Sequence, residues 1–202
     1  MVRGQTGQES SAELARPGRV LTVCTGNICR SPLLERLLQR ELDRAWGPGT
    51  HEVTSAGTHA LVDYPMDERA AAVLRTWDGT PHGFVARRLV PPFVAQADLV
   101  LTATKDHRAM VVRLHPQAVR YALTFREFAA LAEDLSDEEL PGRELPPAER
   151  LRALATLLTA RRGRVPVPDL DIADPYRRPD EVYQQMEEQV RSAWPSAVRA
   201  LT

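Results

Sequence analysis

The sequence predicts an α/β fold, a parallel sheet with helices on both faces, and three observations carry that prediction. Short apolar runs rich in β-branched residues alternate with amphipathic stretches along most of the chain. The clearest runs, "VLTV" at 20–23 and "ADLVLTAT" at 97–104, read as strands buried on both faces. Between the first run and the helix after it lies a short turn, "CTGNICRSP", that holds both cysteines of the chain.

Each element can be justified in order. Val20–Val23 forms the first strand. Ser31 and Pro32 look like a helix start, with Ser at the N-cap and Pro at the first helical position. Leu34, Leu37, Leu38, Leu42 and Trp46 follow at helical spacing, and Gly47-Pro48-Gly49 stops the helix. "HEVTSAG" is a second strand ending at Ser55-Ala56-Gly57, and a helix is expected over Met66–Trp77. "PPFVAQ" predicts a short helix leading into the buried strand at 97–104, after which Thr104 caps a helix that ends at His115-Pro116. "VRYAL" predicts a fourth strand and "TFREFAALAEDL" a helix. The last helix runs from Asp180 to about Leu201, with Val182, Met186, Val190 and Trp194 on one face. The stretch 136–167 fits the alternation least, with four prolines, one amphipathic helix from Pro147 to about Ala160, and the basic end Arg161-Arg162-Gly163-Arg164.

The 202 residues, 43% apolar and 26% charged, suffice for one full core. Residues 1–17 read as a flexible N-terminal tail without the apolar region of a signal peptide. Residues 18–202 read as a single domain that carries a helical insertion at about 136–167, expected to be a solvated helix with a basic end, with a lid or partner-docking element as the sharper alternative. A net charge of −1 gives no global field towards nucleic acid or a lipid surface, and no apolar run approaches the roughly 20 residues of a membrane span. Two cysteines make no disulfide framework, so free thiols and a cytoplasmic location are expected.

The purpose of the turn follows from its geometry. A loop between the C-terminal end of a parallel strand and a helix N-terminus gathers backbone N–H groups into one concavity, which binds a phosphate-sized anion. Thr25, Gly26, Asn27, Ile28, Cys29, Arg30 and Ser31 would form this phosphate-binding loop. Gly26 allows close approach, and Asn27 tolerates a left-handed conformation. Arg30 offers a planar fork of donors matched to phosphate oxygens. A thiol at Cys24 sits in that positive potential, is expected to ionise, and as a thiolate beneath phosphorus is a nucleophile. Ser31 can donate a hydrogen bond to the sulfur. Buried cysteines are often only small hydrophobes, but no second cysteine pair or histidine spacing suggests a metal, and a nucleotide loop would need Gly-Lys-Ser/Thr where this chain has Cys-Arg-Ser.

"VCTGNICRSP" resembles the signature of the low-molecular-weight protein-tyrosine phosphatases, and the similarity runs from Arg19 to about Leu201 apart from the insertion. The bacterial enzymes that act beside capsule and exopolysaccharide kinases look nearest, through "CTGNICRSP", "ALV" after "SAG", and "DPYR". The resemblance implies a four-stranded parallel sheet, Cys24 as nucleophile, Arg30 as phosphate clamp, and a phosphoric monoester hydrolase that uses no cofactor and no metal. Its expected partner is a phosphotyrosine protein, with a tyrosine kinase of bacterial polysaccharide export as one candidate. A departing tyrosyl oxygen needs a proton. Asp169, Asp171, Asp174 and Asp180 all lie in "PDLDIADPYRRPDE", and chemistry alone does not choose among them. The family's Asp-Pro-Tyr motif implies Asp174 as general acid, then as base for the hydrolytic water. Tyr176 could stack on an aromatic substrate. Ser55 resembles the serine that hydrogen-bonds the loop asparagine. The chain departs from the family in having Phe84 where a histidine often stands, with His82 as a possible substitute, and Leu61 where animal enzymes have an aromatic wall.

Other functions compete. Arsenate reductases need further cysteines downstream, and none follows Cys29. Phosphoarginine phosphatases carry Thr where this chain has Ile28, whose apolar surface suits a phenyl ring. A phosphotyrosine-binding module would have no need of Cys24, Arg30 and Asp174 together. Redox sensing through Cys24 and Cys29 is compatible with catalysis.

Overall fold

The computed structural model describes residues 16–167 and 169–202, so of the expected N-terminal tail residues 1–15 lie outside the described residues. Four parallel strands, β1 (Gly18–Cys24), β2 (His51–Gly57), β3 (Leu99–Thr102) and β4 (Ala122–Thr124), form one sheet in the order β2-β1-β3-β4. The chain steps from β1 outward to β2, then crosses back to β3 on the other side. Loops leaving the C-terminal ends of β1 and β3 therefore diverge and open a crevice between them, the usual place for a ligand in such sheets.

Seven helices cover the sheet among the described residues: α1 (Arg30–Trp46), α2 (Glu68–Thr76), α3 (Pro91–Gln96), α4 (Lys105–Leu114), α5 (Phe125–Glu133), α6 (Pro147–Ala160) and α7 (Asp180–Leu201). Successive residues of β1 feed opposite faces. Leu21 and Val23 join Val94 of α3 and Val111 of α4, while Val20 and Cys24 join the larger core beneath α1, α5, α6 and α7. Thr104 caps α4 and Thr124 closes a capping box on α5, each hydroxyl accepting from the amide three residues on. Asp67 caps α2 and so delays its start to Glu68, past the expected Met66. The expected strand over "VRYAL" is shorter, since Pro116–Arg120 winds into a 3₁₀ turn and leaves β4 to begin at Ala122. On α7 the buried stripe includes Tyr183, Met186 and Val190, with Val182 and Trp194 only half-buried.

Two expectations need correction. Ser31 is not the N-cap of α1: the helix starts at Arg30, and the cap position, Cys29, makes no side-chain cap bond. The Ser31 hydroxyl is turned instead towards the loop. The helix α6 is not solvated. It buries Ala148, Leu151, Leu154, Ala155 and Leu158, and Leu151 lies so near β1 that a methyl group on Gly18 would meet its Cδ1 at 2.9 Å. Its Arg150 is buried as well, donating to the carbonyls of Ala200, Leu201 and Pro141 while stacking near Trp46. Asp98 takes Arg16, Arg152 and the Arg19 amide together. Two arginines of the basic end are taken up in ion pairs, Arg161 with Asp134 and Glu139, and Arg162 with buried Glu127.

Candidate active site

The loop after β1 is shaped from outside. The carbonyls of Cys24, Thr25, Gly26 and Ile28 accept from the amides of Thr58, His59, Leu61 and Asp67 at 2.8–3.0 Å. In a planar trans peptide the N–H points opposite to its C=O, so the N–H groups of the same units turn to the concave side. Asn27 takes the left-handed conformation expected of it, with φ 55°. Gly26 borders the pocket, where a methyl group would meet only Ile28 Cγ1 at 3.5 Å, so the room it leaves is for a ligand. The tighter constraint is at Gly57, paired with Cys24, where a Cβ would stand 2.5 Å from the Thr25 carbonyl oxygen.

Hydrogen-bond direction can be followed around the loop. The Ser55 hydroxyl donates to the Glu35 carboxylate, so its oxygen accepts from Asn27 Nδ2 at 2.7 Å. The second Asn27 N–H goes to Ser31 Oγ at 2.9 Å, which leaves the Ser31 hydrogen for Cys24 Sγ at 3.0 Å. Asn27 Oδ1 accepts from the Arg87 amide at 2.8 Å, and Arg87 Nε donates to the Ser55 carbonyl. Burial pushes the Glu35 carboxyl up, with the bond from Ser55 opposing it. Glu35 and Arg87 therefore complete the network. His82 is exposed and takes no part, and Phe84 is a buried wall beneath Arg36.

Arg30 is 3% exposed and sits at the first position of α1. Its Nη1 donates to the Ile172 carbonyl at 3.2 Å and its Nη2 to Thr25 Oγ1 at 3.4 Å, while Nη2 stands 2.7 Å from Asp174 Oδ2. Its Nε is buried with no hydrogen-bond partner among the described residues, which leaves a donor for an anion. The four aspartates part company here. Asp169 pairs with Arg126, Asp171 accepts from the Lys105 amide at the start of α4, and Asp180 pairs with Arg69. Only Asp174 of the four borders the pocket, along with Cys24, Ile28, Leu61 and Tyr176.

Two histidines also reach the site. His59 stands at the pocket rim. His107, on the first turn of α4, is buried with Nε2 2.8 Å from Thr25 Oγ1 and Nδ1 2.7 Å from Thr104 Oγ1. Burial, and then the Arg30 charge, push His107 down to about 4. Cys29 is buried and borders the pocket, with its thiol pushed far up, first by burial and then by Asp67, which also accepts from the Tyr183 hydroxyl at 2.9 Å. Both cysteines are free. No group of three or more metal-ligating side chains occurs among the described residues, and no helix there is long and apolar enough to cross a membrane.

Comparison with known proteins points to one family. The family model described as low molecular weight phosphotyrosine protein phosphatase matches residues 19–141, which include the loop and end ahead of α6 and Asp174. The chain is 36% identical over 122 residues to the low molecular weight protein-tyrosine-phosphatase Etp of Escherichia coli K12, covering 60% of this chain and 74% of that protein. It is 32% identical over 140 residues to the low molecular weight protein-tyrosine-phosphatase Wzb of Salmonella typhi, covering 69% and 86%. Among solved structures, a low molecular weight protein tyrosine phosphatase from T. tengcongensis superposes with a TM-score of 0.63 at 26% identity, over 90% of this chain and 97% of that one. The tyrosine phosphatase AmsI of Erwinia amylovora has the same fold, with a TM-score of 0.64 at 24% identity over 98% and 99%.

Proposed function

This chain belongs to the low-molecular-weight phosphotyrosine protein phosphatase family, and from that premise we propose how its residues divide the hydrolysis of a phosphotyrosine between them. The observation that carries the proposal is the meeting of Cys24, Arg30 and Asp174 in one pocket walled by Ile28, Leu61 and Tyr176. The inward amides of the loop and the Arg30 guanidinium hold the phosphate. Cys24 Sγ attacks phosphorus, the tyrosyl C–O–P bond breaks on the oxygen side of phosphorus, and Asp174 gives its proton to the departing oxygen. Water then attacks the cysteinyl phosphate, Asp174 takes its proton, and the Ser31 hydroxyl stabilises the thiolate that leaves. To donate, Asp174 must swing from Arg30 towards the leaving group.

Ser55 acts through Asn27, and Tyr176 meets the substrate ring. Ile28 and Leu61 give the pocket apolar walls suited to a phenyl group. Residues 18–202 work as one phosphatase domain, a reading supported by the burial of α6 in the common core. The substrate is a phosphotyrosine protein, and the motifs shared with bacterial enzymes that act beside capsule and exopolysaccharide kinases favour a tyrosine kinase of polysaccharide export in the cytoplasm. The test is turnover of a small aryl phosphate by wild type and Cys24→Ser, with and without chelator. Turnover that survives Cys24→Ser, or that chelator removes, refutes the assignment of roles. Trapping on Asp174→Ala in lysate identifies the protein substrate.

A further inference from the structure

We propose that His107 is a positioning residue, which fixes the Thr25 hydroxyl as an acceptor for Arg30 and so holds the guanidinium ready for phosphate. The inference rests on the reading of the site given above.

The fold brings the two groups together. Thr25 follows β1, His107 follows β3, and the two loops border the crevice where the chain changes direction across the sheet. The His107 ring is anchored at both ends. Its own amide donates to Thr104 Oγ1 at 3.3 Å, Nδ1 meets the same oxygen at 2.7 Å, and Nε2 meets Thr25 Oγ1 at 2.8 Å. A neutral imidazole has one donor and one acceptor, and each hydroxyl can answer either. In either tautomer the Thr25 oxygen keeps a lone pair for Arg30 Nη2. Without the ring, the Thr25 side chain loses its anchor, and among the described residues Arg30 Nη2 is left to Asp174, the group that has to leave it.

The ring works as a neutral group. Besides its burial, the facing charges are Arg30, which opposes protonation, and Asp174, Asp106 and Asp171, which favour it. The balance keeps His107 uncharged above about pH 4. A cation there would repel Arg30 across Thr25.

The experiment compares side chains that keep different halves of the link. In His107→Gln the amide reaches the position of Nε2 and can still meet Thr25. In His107→Asn it reaches only the position of Nδ1 and can meet Thr104 alone. Thr25→Val removes the hydroxyl and leaves the histidine. Each protein is assayed for kcat/KM on an aryl phosphate and titrated calorimetrically with inorganic phosphate, and its melting temperature is recorded. His107→Asn and Thr25→Val should each lower kcat/KM and phosphate affinity by about tenfold, while His107→Gln stays within about threefold of wild type. The Asn/Val double variant should be no worse than Thr25→Val alone, because both changes remove one link. The proposal is overturned if His107→Asn binds phosphate as wild type does, if Asn and Gln are equally impaired, or if the double variant shows the product of the single losses. Turnover surviving Cys24→Ser would refute the site reading instead, and the phosphate titration would still decide the role of His107.

Discussion

The two halves of the pocket are built differently. On the loop side, Cys24, Asn27, Arg30, Ser31 and Ser55 are all buried, and each polar side chain except Arg30 Nε is matched within a network tied to β1, β2 and α1. On the aspartate side, the chain is anchored as far as Ala173, by the Ile172 amide to the Ala103 carbonyl and the Ala173 amide to Gln189 Oε1, both at 2.8 Å. Beyond that point Asp174 is half exposed, and among the described residues it accepts, besides Arg30, only from the amide of Tyr176. Groups that meet developing charge gain by being fixed beforehand. Under the proposed roles, a proton donor that must reach a departing oxygen and then a water gains by freedom.

The largest effect should come from the fixed half: Cys24→Ser should reduce turnover to background, measured as phosphate release. Asp174→Ala tests the mobile half. It should lower kcat by roughly 10²–10⁴-fold for poor leaving groups, with a smaller loss for leaving groups that need no proton. An equal loss across the series would remove Asp174 from the proton-donor role. Glu35→Gln sharpens the comparison from beneath the loop. The neutral amide can present its NH₂ to Ser55 and reverse the hydrogen-bond direction, so kcat should fall about tenfold with KM for phosphate esters changed less.

Stability at acid pH depends on buried groups as well. His51 and His107 are held at about 4, against an ordinary 6.5, in both cases chiefly by burial. The unfolded chain therefore takes up protons first, and stability should fall as pH drops from 6.5 to 4. Denaturant unfolding across that range should show a shallower fall in His51→Phe than in wild type. The smallest effect should be that of Cys29→Ser on kcat. Because burial and Asp67 keep the Cys29 sulfur protonated, its capture of an oxidised Cys24 should be slow at neutral pH and quicken as pH rises. Recovery of peroxide-treated wild type and Cys29→Ser by dithiol reductant at two pH values checks this.

Much of the fold was legible in sequence because its signals are local. The apolar runs gave β1, β2 and β3, "PPFVAQ" and Asp180–Leu201 match their helices residue for residue, and Thr104 caps as its position suggests. Ser31 misleads for the opposite reason. Ser-Pro is a local cap signal, but the bonds that claim its hydroxyl come from Asn27 and Cys24 across the turn. The apolar side of α6, with Ala148, Leu151, Leu154, Ala155 and Leu158, has the spacing of a core helix, and that periodicity was a better guide than its prolines and basic end. Glu35 follows Ser31 by one helical turn, a spacing that places both on the side of α1 facing the loop. His107 left no such sign, since its partner is 82 residues away and only strand order brings them together.

The Arg30–Asp174 contact has a consequence for how the pocket empties. An anion that takes Nη2 as well as Nε has to displace the carboxylate already resting there, so Asp174 is an intramolecular competitor for ligands that use both nitrogens of Arg30. Apparent affinity is the intrinsic affinity multiplied by the fraction of molecules in which Asp174 has swung away. Inorganic phosphate, the last product, is subject to the same rule, and the returning carboxylate helps to expel it. Charge alone is then a poor basis for inhibitors of this site. A compound that offers an anion to Arg30 and a hydrogen-bond donor to Asp174 would turn the competitor into a second point of attachment.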